Sequence, residues 1–186
     1  MTIRYIKILV VLAAGLQAFL YALQNMANLE AARGAVAYVL SQADNAVYTD
    51  SVIPAVTSPG LVSFAMWSII ALELVGGIAV LAGAGRMALS IKGTRRAFNA
   101  SKWLALSGLG LLVFTWLGLF LAIGGAGFQM WQTEVGGGSL EGAFIYAMTS
   151  GLVMLIVAQD EPCWADRTEK VDHRQEGWQE PDRSHR

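Results

Sequence analysis

Four apolar stretches, each close to or beyond the length of a bilayer crossing, divide this chain and leave it few ways to fold. A transmembrane helix needs about 20 mostly apolar residues, because each residue rises ~1.5 Å and the hydrocarbon layer is ~30 Å thick. The first stretch runs uncharged from Ile8 to Leu29, and the second from Leu61 to Gly85 with Glu73 as its one charge. The third is uncharged from Trp103 to Thr133, longer than a span requires, so its last residues are expected to leave the bilayer. The fourth, about Leu140 to Ala158, is the shortest. Ser58-Pro59 ahead of the second stretch reads as an N-cap followed by proline at the first helical position. Helices are therefore predicted over about 6–28, 61–85, 103–128 and 140–158. They make an all-α, polytopic membrane protein, a four-helix antiparallel bundle over residues 1–159. Charged residues are only 15% of the chain, against ~25% in soluble domains, too few to clothe it in water.

Lysine and arginine positions set the expected orientation. Arg4 and Lys7 precede the first helix, and Arg86, Lys92, Arg95, Arg96 and Lys102 fill the link between the second and third. The polar tail adds Arg167, Lys170, Arg174, Arg183 and Arg186, so every basic residue except Arg33 falls on one side. That side is predicted to be cytoplasmic, with both termini in the cytoplasm. Arg4 and Lys7 ahead of an apolar run would also suit a cleaved secretory signal. The run is long for a signal core and small residues do not fit a cleavage pattern, so the first helix is expected to stay. Asn99-Ala100-Ser101 matches a glycosylation acceptor but falls on the cytoplasmic side and reads as chance.

The same inventory removes several chemistries. Cys163 is the single cysteine, and His173 and His185 both lie in the tail. No disulfide-exchange pair, four-thiolate site or two-histidine haem anchor can be built within the chain, so no metal and no cofactor are expected. Cys163 just past the fourth helix reads as an unmodified thiol rather than an acylation site. The GGAG and GGGS runs lack the lysine and the preceding strand of a nucleotide loop, and no nucleic-acid partner is expected.

Outside the helices, the outer loop over 30–60 is too long for a simple turn. Val36, Tyr38, Val39 and Leu40 suggest a short helix on the bilayer surface or capping the bundle, with Ile53-Pro54 extended. The tail, 160–186, is rich in both signs of charge and poor in aliphatics, and is predicted to be a disordered cytoplasmic extension.

In lipid, helices associate by close backbone approach, so small residues four apart mark contact faces. Ala14, Ala18 and Ala22 form one on the first helix; Gly76, Ala79 and Gly83 mark the second; Gly118, Ala122 and Ala126 mark the third. Glu73 is the sharpest polar feature. It lies near the middle of its helix, ~18 Å deep by the helix rise, where an ionised carboxylate is costly without a partner. Gln17, Tyr21, Gln24 and Asn28 share one face of the first helix, with Gln17 expected at the depth of Glu73. Thr115 on the third helix and Thr149 or Ser150 on the fourth complete a predicted polar layer. That layer reads three ways: a hydrogen-bonded structural acid, a site for a proton, ion or polar ligand, or an acid paired with a cation of another subunit. A second candidate is an outer-face mouth for a headgroup or quinone, where Gln129, Trp131 and Gln132 stand between two glycine clusters. The competing reading there is an interfacial tryptophan belt and a flexible turn.

The segments IRYIKILVVL, LYALQNMANL, AYVLSQADNAVY, AVTSPGL, FNASKWLAL and GFQMWQTEVGGGSLEGAF, spread between Ile3 and Ala158, carry a resemblance. With them the chain resembles a bacterial family of predicted small integral membrane proteins. The resemblance implies a four-helix inner-membrane protein and supplies no catalytic residues. The expected role is a non-catalytic accessory or scaffold subunit, whose partners are the lipid bilayer and other membrane subunits or further copies of itself. The alternative is a small binding or transport protein using the polar site around Glu73. An enzyme is not expected, since no nucleophile–base pair is visible.

Overall fold

The computed structural model describes residues 2–161. The rest of the polar tail, including Cys163, His173 and His185, lies outside the described residues. Six helices follow in order among them: α1 Thr2–Ala27, α2 Leu29–Ser41, α3 Pro59–Leu89, α4 Arg95–Ser101, α5 Trp103–Val113 and α6 Glu134–Ala158. A π-helical segment, Phe114–Gly127, continues α5, so Arg95–Gly127 forms one span interrupted only at Lys102. Four helices are thus long and apolar enough to cross a membrane.

Local chemistry explains where the helices outrun their predicted bounds. α6 starts at Glu134 rather than near Leu140, because the Thr133 hydroxyl accepts from Gly136 N at 3.1 Å and caps the helix. Gly136 to Gly138 are therefore helical, not a flexible turn. Gly136 fits because a Cβ there would strike the Met130 carbonyl. The short helix expected in the outer loop is α2, which packs against α3 and ends at Gln42 in the left-handed region, φ 54°.

α3 is the central helix, with α1 on one side and α5 on the other, while α6 closes the bundle against α5, the π segment and α1. Glycines set both registers. A Cβ on Gly77 would come 2.8 Å from Phe19 N of α1, and one on Gly15 would meet Leu81 N at 3.0 Å. Toward α5, a Cβ on Gly76 would lie 2.6 Å from Leu112 Cδ2, one on Gly83 2.6 Å from Ala105 Cα, and one on Gly108 2.8 Å from Val80 N. Backbones meet where side chains would forbid it, the association mode of helices in lipid. Leu9, Leu16, Leu20, Phe64, Leu152 and Leu155 point outward instead, as a hydrocarbon solvent allows.

The third small-residue face is a correction. Gly118 would touch only its own Phe114, and Ala122 and Ala126 are exposed. The backbone bonds of this segment run to the fifth residue back, as from Phe128 N to Ile123 O at 2.9 Å. Thr115 sits where the period changes, its hydroxyl donating to Leu111 O at 2.9 Å and occupying a carbonyl of the ordinary ladder. The helix-to-helix contact is made earlier, by Ala105, Gly108, Leu109 and Leu112.

The basic end of the bundle is stapled by its own charges. Arg4 ion-pairs with Glu161 through Nε and through Nη2, the latter at 2.6 Å, and its Nη1 donates to Ile91 O at 2.6 Å and Gly93 O at 2.7 Å. Lys7 and Lys102 both donate to Gln159 O, Lys102 at 2.9 Å, and the Arg4 guanidinium covers the Phe98 ring at 4.8 Å. All three cations and Glu161 are buried. The sequence begins the polar tail at Asp160; Glu161 instead belongs to the bundle, because α1 supplies a buried guanidinium for it. That guanidinium, hydrogen-bonded to both oxygens, holds the Glu161 carboxyl below its ordinary value.

Two outcomes follow. Gly83→Ala should destabilise the detergent-solubilised protein by about 1–3 kcal/mol, while Gly85→Ala, with nothing within 4 Å, should not; reversible unfolding of the pair checks this. A carboxylate whose folded value is depressed stabilises above its unfolded value and loses that contribution as pH falls through the folded one. Acidification below the ordinary carboxylate range should therefore lower the unfolding midpoint of the wild type more than that of Glu161→Gln.

Candidate functional site

Glu73 lies mid-way along α3 and is 3% exposed. The two glycine registers determine what faces it. Toward α1, Gly77 meets Phe19, so a helical turn toward the start of α3 brings Glu73 opposite the last turns of α1. Toward α5, Gly76 meets Leu112, so Glu73 comes opposite the first turn of the π segment. Asn25 Nδ2 donates to Glu73 Oε2 at 3.0 Å, and Trp116 Nε1 donates to Oε1 at 3.3 Å. Both carboxyl oxygens are thereby met by neutral donors from two neighbouring helices. The Trp116 ring lies 5.3 Å from that of Tyr146 on α6, and the Tyr146 hydroxyl hydrogen-bonds that of Tyr21 on α1. Tyr21 is 40% exposed, so this polar layer reaches the outer surface of the bundle between α1 and α6.

The predicted layer is thus half assembled. Glu73 and Tyr21 belong to it; Gln17, Gln24, Thr115 and Thr149 do not bond Glu73. Gln17 lies roughly six residues along α3 from Glu73, ~9 Å by the helix rise, since Gly15 and Phe19 flank it opposite Leu81 and Gly77. Gln24 is exposed beside Tyr21, and its backbone carbonyl accepts from Asn28 Nδ2 at 2.9 Å. Thr115 is buried, but its hydroxyl goes to its own helix, as does that of exposed Thr149, which donates to Tyr146 O at 3.2 Å. The buried stripe of α1 is Arg4, Lys7, Val11, Ala14, Ala18 and Ala22, and its next member is Asn25. Gln17, Tyr21 and Gln24 each stand one residue before that stripe, rotated about 100° from it. Adding three to the Ala14–Ala18–Ala22 face finds Asn25; nothing in the spacing marks Trp116.

The outer-face mouth is also rearranged. Gln129 is left-handed, φ 58°, and its Nε2 donates to Asp50 O at 3.2 Å while its Oε1 accepts from Gln132 Nε2 at 2.5 Å. Gln132 Oε1 accepts from Val47 N at 2.7 Å and Tyr48 N at 2.8 Å. Asn45 Nδ2 reaches Phe128 O at 3.2 Å, and Ser51 Oγ reaches Gly127 O at 3.1 Å. Both glutamine amides are therefore spent holding the long loop onto the turn before α6. Gly127 leaves room for Ile53 of that loop, since a Cβ there would meet the Ile53 side chain. Trp131 packs edge-on against Tyr48, with ring centroids 5.4 Å apart, and its other side remains open.

Residues 3–160 match the model of a family described as predicted small integral membrane protein (DUF2165). No curated protein and no solved structure matches the chain.

Removing either donor to Glu73 leaves a buried carboxyl oxygen unmet. Trp116→Phe and Asn25→Leu should each cost about 1–3 kcal/mol in reversible unfolding, and Gln17→Leu under about 0.5 kcal/mol. The Asn25→Leu cost should shrink when Glu73 is already leucine, a coupling that a double-mutant cycle reads directly.

Proposed function

The chain belongs to this family of small integral membrane proteins, and from that premise we propose that it serves as a non-catalytic accessory or scaffold subunit of a larger assembly in the cell inner membrane, with both termini cytoplasmic. One observation carries the reading: Glu73 is enclosed at 3% exposure and accepts from Asn25 and Trp116 of its own chain. A partner's cation would have to displace one of those donors to reach it. The acid fixes the mutual register of α1, α3 and the π segment, a use of buried polar groups that serves specificity rather than turnover. The buried cations of the basic end are engaged in the same way, with Glu161 and backbone carbonyls. What such a bundle offers to others is its lipid-facing surface. The orientation rests on the segregation of lysine and arginine to the Arg4/Lys7 end.

A second reading, a small binding or transport protein working through the Glu73 layer, draws on a different observation. The Tyr146–Tyr21 pair extends the layer to the lipid-facing surface, where Leu20, Tyr21, Leu23, Gln24 and Ala27 line a shallow groove of about 500 Å³. Proton-coupled flux in reconstituted vesicles that disappears in Glu73→Gln would favour it.

Native mass spectrometry of the tagged protein, extracted in mild detergent, tests the subunit reading. Other polypeptides at fixed stoichiometry are the expected result, unchanged in Glu73→Gln. A lone chain in every mild extraction would overturn it.

A further inference from the structure

Glu141 is an acid in an unusual place. It lies on α6 seven residues beyond Glu134, ~10 Å along the axis toward the basic end, and its side chain is exposed on the outside of the bundle. It makes no hydrogen bond or ion pair with any described residue. It stands at the outer margin of the apolar stretch that begins near Leu140, where a carboxylate on the bundle surface is open to a cationic partner.

Beside Glu141 the bundle is concave. An open groove of about 610 Å³ runs between the π segment, which contributes Leu121 and Gly125, and α6, which contributes Leu140, Glu141 and Phe144, with Trp131 at its loop end. Gly125 deepens it by lacking a side chain; a Cβ there would meet Leu140 Cδ1 at 2.8 Å. Gly137, Leu140, Glu141 and Phe144 share one face of α6 at helical spacing, so the groove extends ~10 Å along the axis. Its walls are apolar and aromatic, and the Glu141 carboxylate is its single charged group.

The charge around the groove selects the sign of what enters. Asp44, Asp50 and Glu134 belong to the same end of the bundle, and the basic residues among the described ones, apart from Arg33, lie at the other. An anionic headgroup would meet repulsion; a cation would meet Glu141. A second copy inserted in the same orientation would bring only Arg33 to this end, on α2 beyond the end of α1. We propose that this groove binds an amphiphile of the bilayer whose headgroup is an ammonium, the headgroup on Glu141 beside Trp131 and the chain running along Phe144. This assignment is independent of the subunit reading.

Trp131 reports occupancy. The full chain in neutral maltoside micelles is titrated with a chain-brominated dodecylammonium, and in parallel with the matching brominated dodecanol and dodecyl sulfate. Quenching assigned to Trp131, as the difference between wild type and Trp131→Phe, should saturate at roughly five- to tenfold lower concentration for the ammonium than for the alcohol. The sulfate should be weakest. Glu141→Gln, an exposed and conservative change, should keep the circular dichroism spectrum and erase the preference. Equal quenching by ammonium and alcohol in the wild type, or a preference that survives in Glu141→Gln, would overturn the proposal. A dimer in native mass spectra that separates in Glu141→Gln would assign the groove to a second copy and overturn it equally.

Discussion

Backbone contact along α3 determines where everything else can sit. Helices surrounded by lipid gain little from hiding apolar side chains from one another, so their association depends on how closely the main chains approach. Gly76, Gly77 and Gly83 allow that approach on both sides of α3, with Gly15 and Gly108 answering from α1 and α5. The registers are consistent along each contact, and they leave one arrangement for the polar groups between. Glu73 is met from α1 by Asn25 and from the π segment by Trp116 because those residues, and not their neighbours, come level with it. The hydrogen bonds then penalise any slip of one helix against another, since a shifted register would leave a buried carboxyl oxygen without a donor.

The π segment governs the far half of the bundle. Its wider turn begins at Phe114 beside the Thr115 back-bond and ends at Gly127, where Gln129 reverses the chain in a left-handed conformation. Such a conformation is uncommon outside glycine and must be held by its surroundings. Gln129 is held through its amide, which joins Gln132 and Asp50, and through them the whole loop from Asn45 to Ile53 is fixed over the end of the bundle. Gly125 and Ala126 of this segment line the concavity beside Glu141.

The spans were legible because length and hydropathy report on the bilayer itself, and Glu73 stood out as the one charge within its stretch. Its surroundings were harder to read. The face of α1 was chosen by polarity, which gave Gln17, Tyr21 and Gln24, whereas packing chose the alanine stripe one residue away and ended it on Asn25. Depth was estimated from the middle of each apolar run, but α3 extends past the end of α1, so the middle of one faces the last turns of the other. The π segment was invisible, because a change in hydrogen-bond period leaves no mark on hydropathy, and the face that packs lies earlier in the span, at Ala105, Gly108, Leu109 and Leu112 rather than at Gly118, Ala122 and Ala126. The basic end was read only for topology. That Arg4, Lys7 and Lys102 would be buried depends on α6 ending beside α1, a tertiary fact with no local signal.

The three polar centres differ in how completely the chain answers them, and that difference separates structure from availability. At the basic end, one carboxylate and backbone carbonyls from the link after α3 and the end of α6 meet the buried cations, so all four spans are tied together there. Mid-way along α3, two neutral donors meet one oxygen each of Glu73, and the layer continues outward through Tyr146 and Tyr21. On α6, Glu141 has no such answer among the described residues and faces a groove whose walls can hold only apolar groups. A bilayer penalises unmet polarity much more than water does. A chain that satisfies its buried charges from within, and leaves the exposed acid beside its groove to be satisfied from outside, places its capacity for recognition at that acid.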